Sequence, residues 1–289
     1  MRLVGDYRLY LIPPLPEGEE VLHDLLERLR NNELRGLNVT IPHKQAIIPY
    51  LDELSPTASA IGAVNTVFVQ DGRLVGENTD APGFLSDLEK FLRIAAISVN
   101  TTFLSEENHV VKKSAILLGA GGSARAVTYA LVHTSWEVTI AARRLEQAQD
   151  VASTLRLATT NLQTNTLCLE SSTTIGSINI IPLNKSSIID LKPKLVVNAT
   201  PVGMWPEVNA SPWPEEVPFP TGALVYDLVY NPVETALMRA ARREGLPVAN
   251  GLGMLIEQAA LALEIWIGQP VPRQSMLEAM TELSGSPPD

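Results

Sequence analysis

Hydrophobic and polar positions divide the chain into short units. Residues 7–12 alternate large apolar and polar groups and read as a strand closed by Pro13-Pro14. Across 19–30, Val21, Leu22, Leu25, Leu26 and Leu29 recur at helical spacing. A short strand over 36–41 ends at Pro42, and 45–51 reads as a short helix. Residues 63–70 form another β-rich run, from which Asp71-Gly72 signals a hairpin into 73–76. Asn78, Thr79 and Asp80, followed closely by Pro82, mark the start of a helix through Phe84 to Leu92. The polar, aperiodic stretch 100–113 reads as a surface insertion. After it, 114–118 is a buried-type strand, 126–133 a helix and 137–141 a strand. That βαβ unit requires a parallel sheet. Further β runs stand at 195–198 and 223–227, separated by a long Pro-rich loop over 201–220. Residues 254–267 place Leu255, Ile256, Ala259, Leu263 and Ile267 on one helical face, and the tail SGSPPD reads as frayed.

Composition narrows the class. With 289 residues, 45% apolar and 19% charged, the chain has a globular profile, and at roughly 150 residues per domain it suggests two domains. Disorder and collagen are excluded. A net charge of −10 repels nucleic acid and anionic membranes, so any anion site must be local. The single Cys168 permits no intramolecular disulfide. His23, His43, His109 and His133 match no metal-ligand spacing, so no metal is expected. No run reaches the ~18 apolar residues of a membrane span. The first residues lack the pattern of a signal peptide, and a cytoplasmic protein is expected.

The candidate chemistry begins at Gly119-Ala120-Gly121-Gly122-Ser123-Ala124, which fits G-x-G-x-x-G/A between a strand and a helix. The first glycine permits a tight turn, the second lets backbone approach a pyrophosphate, and the small third residue allows close helix–strand packing. Exposed N–H groups at the helix start then bind phosphate. The next strand ends in Arg143-Arg144, where NAD-binding domains place an acid. Two guanidinium groups suit a 2′-phosphate, so NADP is preferred over NAD, the other reading being a solvated basic pair. Lys44 and Asp80 both fall at strand–helix junctions, where ligands of open α/β sheets collect. Taken singly, each has an ordinary reading, as a solvated charge and an N-cap.

Together, ordered segments resemble shikimate dehydrogenase. They are NVTIPHK (38–44), GAVNTV (62–67), GENTDAPGF (76–84), LLGAGGSARA (117–126), NATPVGM (198–204), YDLVYNPVETALMRAA (226–241) and NGLGMLIEQAA (250–260). The resemblance implies an α/β chain with a split substrate domain (1–84 and 252–289) and a doubly wound, Rossmann-type NADP-binding domain (85–251). It implies NADPH-dependent reduction of 3-dehydroshikimate to shikimate, a step in aromatic amino acid biosynthesis, with Lys44 and Asp80 as the acid–base pair. Thr40, Asn65, Asp80 and Gln258 would hold the ring hydroxyls, and Tyr230 would line the pocket. Gly119, Gly121, Gly122, Ser123, Ala124, Arg143, Arg144, Thr200 and Gly251 would bind the cofactor, with Met254 against the nicotinamide or else simply filling core. Alternatives are an NAD-using quinate/shikimate dehydrogenase and a non-catalytic NADP-binding remnant. Both monomer and homodimer remain open.

The sequence also departs from the family. Members open with a strand, a turn bearing two serines that hold the substrate carboxylate, and a helix, for which no counterpart is present here. Residues 6–10 correspond to the family's second strand, so edges on both sides of a gap are expected to lie unpaired. Buried unpaired backbone groups cost about 1–3 kcal/mol each. Either Met1 is an internal start of a longer protein, the reading favoured by the retained Lys44, Asp80, Gln258 and glycine turn, or the chain is a repurposed form. Gln147 stands where a basic residue is sometimes found, and Pro201 replaces the usual serine.

Overall fold

The computed structural model describes residues 5–99, 113–165 and 176–284. The insertion 100–113, apart from Lys113, lies outside the described residues, as do His109, Cys168 and the tail beyond Ser284. Helix α1 (Glu19–Arg30) buries Leu22, Leu25, Leu26 and Leu29 on one face. Glu19 and Glu20 in its first turn and Arg28 and Arg30 in its last complement the helix dipole. Strand β1 (Leu37–Asn38) leads into α2 (His43–Ala46) and a separate 3₁₀ turn, Ile48–Tyr50. The single helix expected over 45–51 is broken because Pro49 has no N–H to continue the ladder. Strand β2 (Glu53–Leu54) and helix α3 (Pro56–Ile61) follow. The signals for α3 were present: Ser55 Oγ accepts from the Ala58 N–H, Pro56 takes the first position, and Gly62 closes the helix at φ +67°.

Strands β3 (Thr66–Gln70) and β4 (Arg73–Glu77) form the expected hairpin, with Asp71 and Gly72 at φ +51° and +75°. These strands complete a four-stranded sheet in the order β1-β3-β4-β2. Its core combines Leu22, Leu26 and Leu29 with Ile47, Ala58, Val64, Val67 and Leu74. Helix α4 (Asp80–Val99) then leaves the sheet and runs past the expected end at Leu92.

Residues 7–12 correct the sequence reading, because they form no strand. Among the described residues no strand pairs with their backbone, and Leu9 and Leu11 are 86% and 97% exposed. With no ladder partner, the N–H and C=O groups gain nothing from extended pairing. The Tyr7 hydroxyl donates to Asn38 Oδ1 at 3.1 Å. Between this run and the outer edge of β1 lies an open cavity of about 1150 Å³, which also reaches Trp266 and Ile267.

The second unit comprises β5 (Ser114–Leu118), α5 (Gly122–His133), β6 (Glu137–Ala142), α6 (Leu145–Asn165), β7 (Ile178–Pro182), α7 (Lys185–Ile188), β8 (Leu195–Asn198), β9 (Leu224–Asp227), α8 (Ala236–Arg243) and β10 (Val248–Ala249). All six strands are parallel, in the order β10-β9-β8-β5-β6-β7. Counted from the β7 edge this is the 3-2-1-4-5-6 order of a doubly wound fold, whose switch point lies between β5 and β8. Both faces are covered, which explains the continuous apolar runs of β5, β8 and β9.

Helices α9 (Leu252–Ile267) and α10 (Arg273–Ser284) return the chain to the first sheet. The expected boundary at 84/85 falls inside α4, and that at 251/252 coincides with the first residue of α9. These two helices pack so closely that a Cβ on Gly83 would lie 2.8 Å from the Gln258 nitrogen. Gly83→Ala is therefore expected to destabilise the protein by about 1–3 kcal/mol in urea unfolding, the usual cost of overpacking.

Candidate active site

Three backbone segments meet at one end of the first sheet's strands, and each delivers a polar side chain there. The register Thr66↔Glu77 places Asn65 opposite the turn into α4, with the Asn65 N–H donating to the Glu77 carbonyl at 3.0 Å. On the other side the Val39 N–H donates to the Asn65 carbonyl at 2.8 Å. From there the chain turns through Pro42 into α2, where the Lys44 carbonyl accepts from the Val64 N–H at 2.7 Å. Lys44, Asn65 and Asp80 thus converge although 36 residues separate the outer two.

Their side chains form one buried network. Lys44 Nζ donates to Asp80 Oδ2 at 2.7 Å, with side-chain exposures of 11% and 6%. Asn65 Nδ2 faces Asp80 Oδ1 at 3.0 Å, Thr79 Oγ1 at 2.9 Å and Gln258 Oε1 at 3.2 Å. Asn65 Oδ1 in turn accepts from the Thr79 N–H at 2.7 Å and from the Thr66 hydroxyl at 3.1 Å. An ammonium held by a carboxylate, beside two amides that can bind hydroxyls, can support proton exchange at a carbonyl or alcohol oxygen.

The glycine turn lies directly beside this network. The aliphatic stem of Lys44 covers Gly122, where an added Cβ would meet Lys44 Cδ at 3.4 Å. Gly119 has φ +104°, and a Cβ there would stand 2.7 Å from Thr200 Cγ2, so only glycine fits without displacement. Gly121 faces open space and caps α5 without a side-chain hydrogen bond, leaving helix N–H groups available to a phosphate. Thr200 is fixed by Asn198, whose Oδ1 accepts from the Thr200 N–H at 2.9 Å and hydroxyl at 2.7 Å. Asn198 is held by Asp227, which also accepts from the Val229 N–H and the Thr235 hydroxyl. Burial raises the Asp227 pKa above the ordinary aspartate value against those three opposing bonds.

The remaining expected residues are less uniform. Arg143 and Arg144 are exposed at the end of β6, with no ion-pair partner among the described residues. Met254 is buried near the start of α9. Gly251 caps that helix, and Ser123 and Ala124 lie in the first turn of α5. Thr40 and Tyr230 are exposed and are not hydrogen-bonded to the Lys44 network. Sequence reading missed Thr66 and Thr79 as parts of the network. Thr79 adjoins Asp80, but only hairpin register reveals that it meets Asn65.

Comparison with known proteins decides the family. A family model described as the shikimate dehydrogenase substrate binding domain matches residues 2–67, and the shikimate 5′-dehydrogenase C-terminal domain matches 251–281. A shikimate dehydrogenase (NADP(+)) from Moorella thermoacetica is 38% identical over 288 residues, 98% of this chain and 87% of that protein. The chain belongs to the shikimate dehydrogenase family. Another member, from Carboxydothermus hydrogenoformans, is 36% identical, over 94% of this chain and 86% of its own. Among solved structures, shikimate 5-dehydrogenase from Thermus thermophilus in complex with NADP(H) and shikimate matches with TM-score 0.67. It is 34% identical, over 93% of this chain and 85% of that one. Quinate dehydrogenase from Corynebacterium glutamicum in complex with NAD matches with TM-score 0.73 and 30% identity, covering 93% and 85%.

The helix carrying Gln258 is held by charges next to it. Glu257 pairs with Lys90 of α4 and with Arg273 at 3.3 Å. Burial pushes the Glu257 pKa up, but the two cations more than offset this and leave it below the ordinary value. A lowered folded-state pKa stabilises above the unfolded value, and that stability is lost as pH falls through the folded one. Glu257→Gln is thus expected to be destabilising at pH 7, with the difference from the parent shrinking as pH falls below ~4.3, the unfolded glutamate value, in urea unfolding at stepped pH.

Proposed function

We propose that the chain reduces 3-dehydroshikimate to shikimate with NADPH, and runs the reverse reaction with NADP⁺, in the cleft between the two units. The observation that carries this reading is the buried Lys44–Asp80 pair at 2.7 Å with its lysine stem lying over the glycine turn. Bound NADPH would supply the hydride to the ketone carbon. Lys44 hydrogen-bonds the carbonyl oxygen and offers a proton as negative charge develops there, while Asp80 orients Lys44 and can share that proton. Asn65, Gln258, Asp80 and Thr40 hold ring hydroxyls, and Tyr230 borders the substrate.

On the cofactor side, Gly119, Gly121, Gly122, Ser123 and Ala124 offer backbone to the pyrophosphate. Thr200 and Gly251 would help hold the cofactor, with Met254 against its nicotinamide. Arg143 and Arg144, exposed and unpaired among the described residues, suit a 2′-phosphate. Residues 1–84 and 252–289 serve the substrate, and 85–251 the cofactor. Among the described residues no helix is long and apolar enough to cross a membrane.

The direct test is shikimate-dependent reduction of NADP⁺ followed at the nicotinamide absorbance, and absence of turnover would remove the proposal. Lys44→Ala should abolish kcat while NADPH binding stays nearly unchanged; full activity would take Lys44 out of the chemistry. Replacing Arg143 and Arg144 together by Ala should weaken NADPH much more than NADH. Equal weakening would instead favour an NAD-using enzyme.

A further inference from the structure

Arg125 is a buried cation that the chemistry above does not use. It directly follows the glycine motif in the first turn of α5, is 4% exposed, and is the only buried arginine among the described residues. Its guanidinium reaches both units. Towards the cofactor side it pairs with Asp150 and meets Thr154 Oγ1 at 3.4 Å, both on α6. Towards the substrate side Nη1 approaches the Ile61 carbonyl at 3.5 Å, at the end of α3. With its amide oxygen turned inward, Gln45 accepts from Nε at 3.3 Å and Nη2 at 3.2 Å.

Both substrate-side acceptors flank Lys44. Gln45 is its chain neighbour, and the segment after Ile61 reaches Val64, whose N–H donates to the Lys44 carbonyl. We infer that Arg125 is a positioning residue for hydride transfer, tying the two supports of Lys44 to the helix that begins at the glycine turn. The inference rests on the reductase reading for its consequence, though its geometry does not. A planar guanidinium can serve acceptors from two directions at once, whereas an ammonium offers a single point charge on a flexible stem. Without the tie, Lys44 keeps Asp80 but loses its fixed offset from the cofactor, and small misplacements are costly in rate.

The test uses the full chain with Arg125→Met, Arg125→Lys, Gln45→Ala and the double variant R125M/Q45A. Thermal melts establish folding, and the readouts are kcat, KM for shikimate, the Kd for NADPH, and amide hydrogen exchange over residues 58–64. Expected for R125M is a kcat about 10–100-fold lower with NADPH affinity unchanged. Arg125→Lys should recover part of the loss. Gln45→Ala should lose less than R125M, and the double variant should be no slower than R125M alone, because the two act through one contact. Exchange over 58–64 should quicken in R125M. Parent-like kcat in R125M, or losses that multiply in the double variant, would overturn the inference. If R125M does not fold, an unchanged kcat in the exposed Gln45→Ala variant overturns it equally. If the parent shows no turnover, the reductase reading fails, while exchange over 58–64 still decides the tie: unchanged exchange in R125M rejects it.

Discussion

An ammonium and a carboxylate buried together are costly unless each finds compensation, because both leave water for a poorly polarisable interior. Lys44 and Asp80 meet that condition through direct contact and through Asn65, which binds the second carboxylate oxygen. Asn65 in turn is locked by Thr66 and Thr79 and touches Gln258. Losing any member would leave a buried polar group without its partner, so the network holds as a unit. The first sheet, the start of α4 and the return of α9 are arranged around that requirement.

A second constraint is that this cluster must face the switch point of the parallel sheet. Two devices secure it. Close packing of α4 on α9 carries Asp80 and Gln258 on helices that meet at Gly83, and Lys44 lies over Gly122 at the start of α5. Behind the cofactor side, Asp227 accepts from both Asn198 and Thr235, and Asn198 holds the loop bearing Thr200. The raised pKa of Asp227 reflects the cost of burying that carboxylate, met by three hydrogen bonds. Asp87 is raised for the same reason, with the Tyr226 hydroxyl donating to it at 2.5 Å across from β9. Polar groups placed between packed elements give the join a particular alignment that apolar contact alone would leave looser.

Much of this was legible along the chain. The βαβ unit with its glycine turn, the Asp71-Gly72 hairpin and the leucine face of α1 all rest on local rules of spacing, turn chemistry and periodicity. Elements too short to show a period escaped: β2, β10 and α7 have two, two and four residues. Residues 7–12 failed in the opposite sense. Their alternation is that of a strand, but pairing is a property of neighbours, and among the described residues no strand pairs with them.

The amino-acid sequence by itself determined the parallel cofactor sheet and the phosphate-ready turn, because the βαβ unit and its glycine motif are written within one continuous stretch, 114–141. Lys44 and Asp80 stood out only through the family resemblance spread along the chain. Only the tertiary structure decided that Lys44 and Asp80 touch, that Asn65 and Gln258 join them, and that Arg125 reaches across to Gln45 and Ile61. Those contacts join residues up to 193 positions apart, and they depend on strand register and helix crossing. Neither leaves a mark in the local pattern.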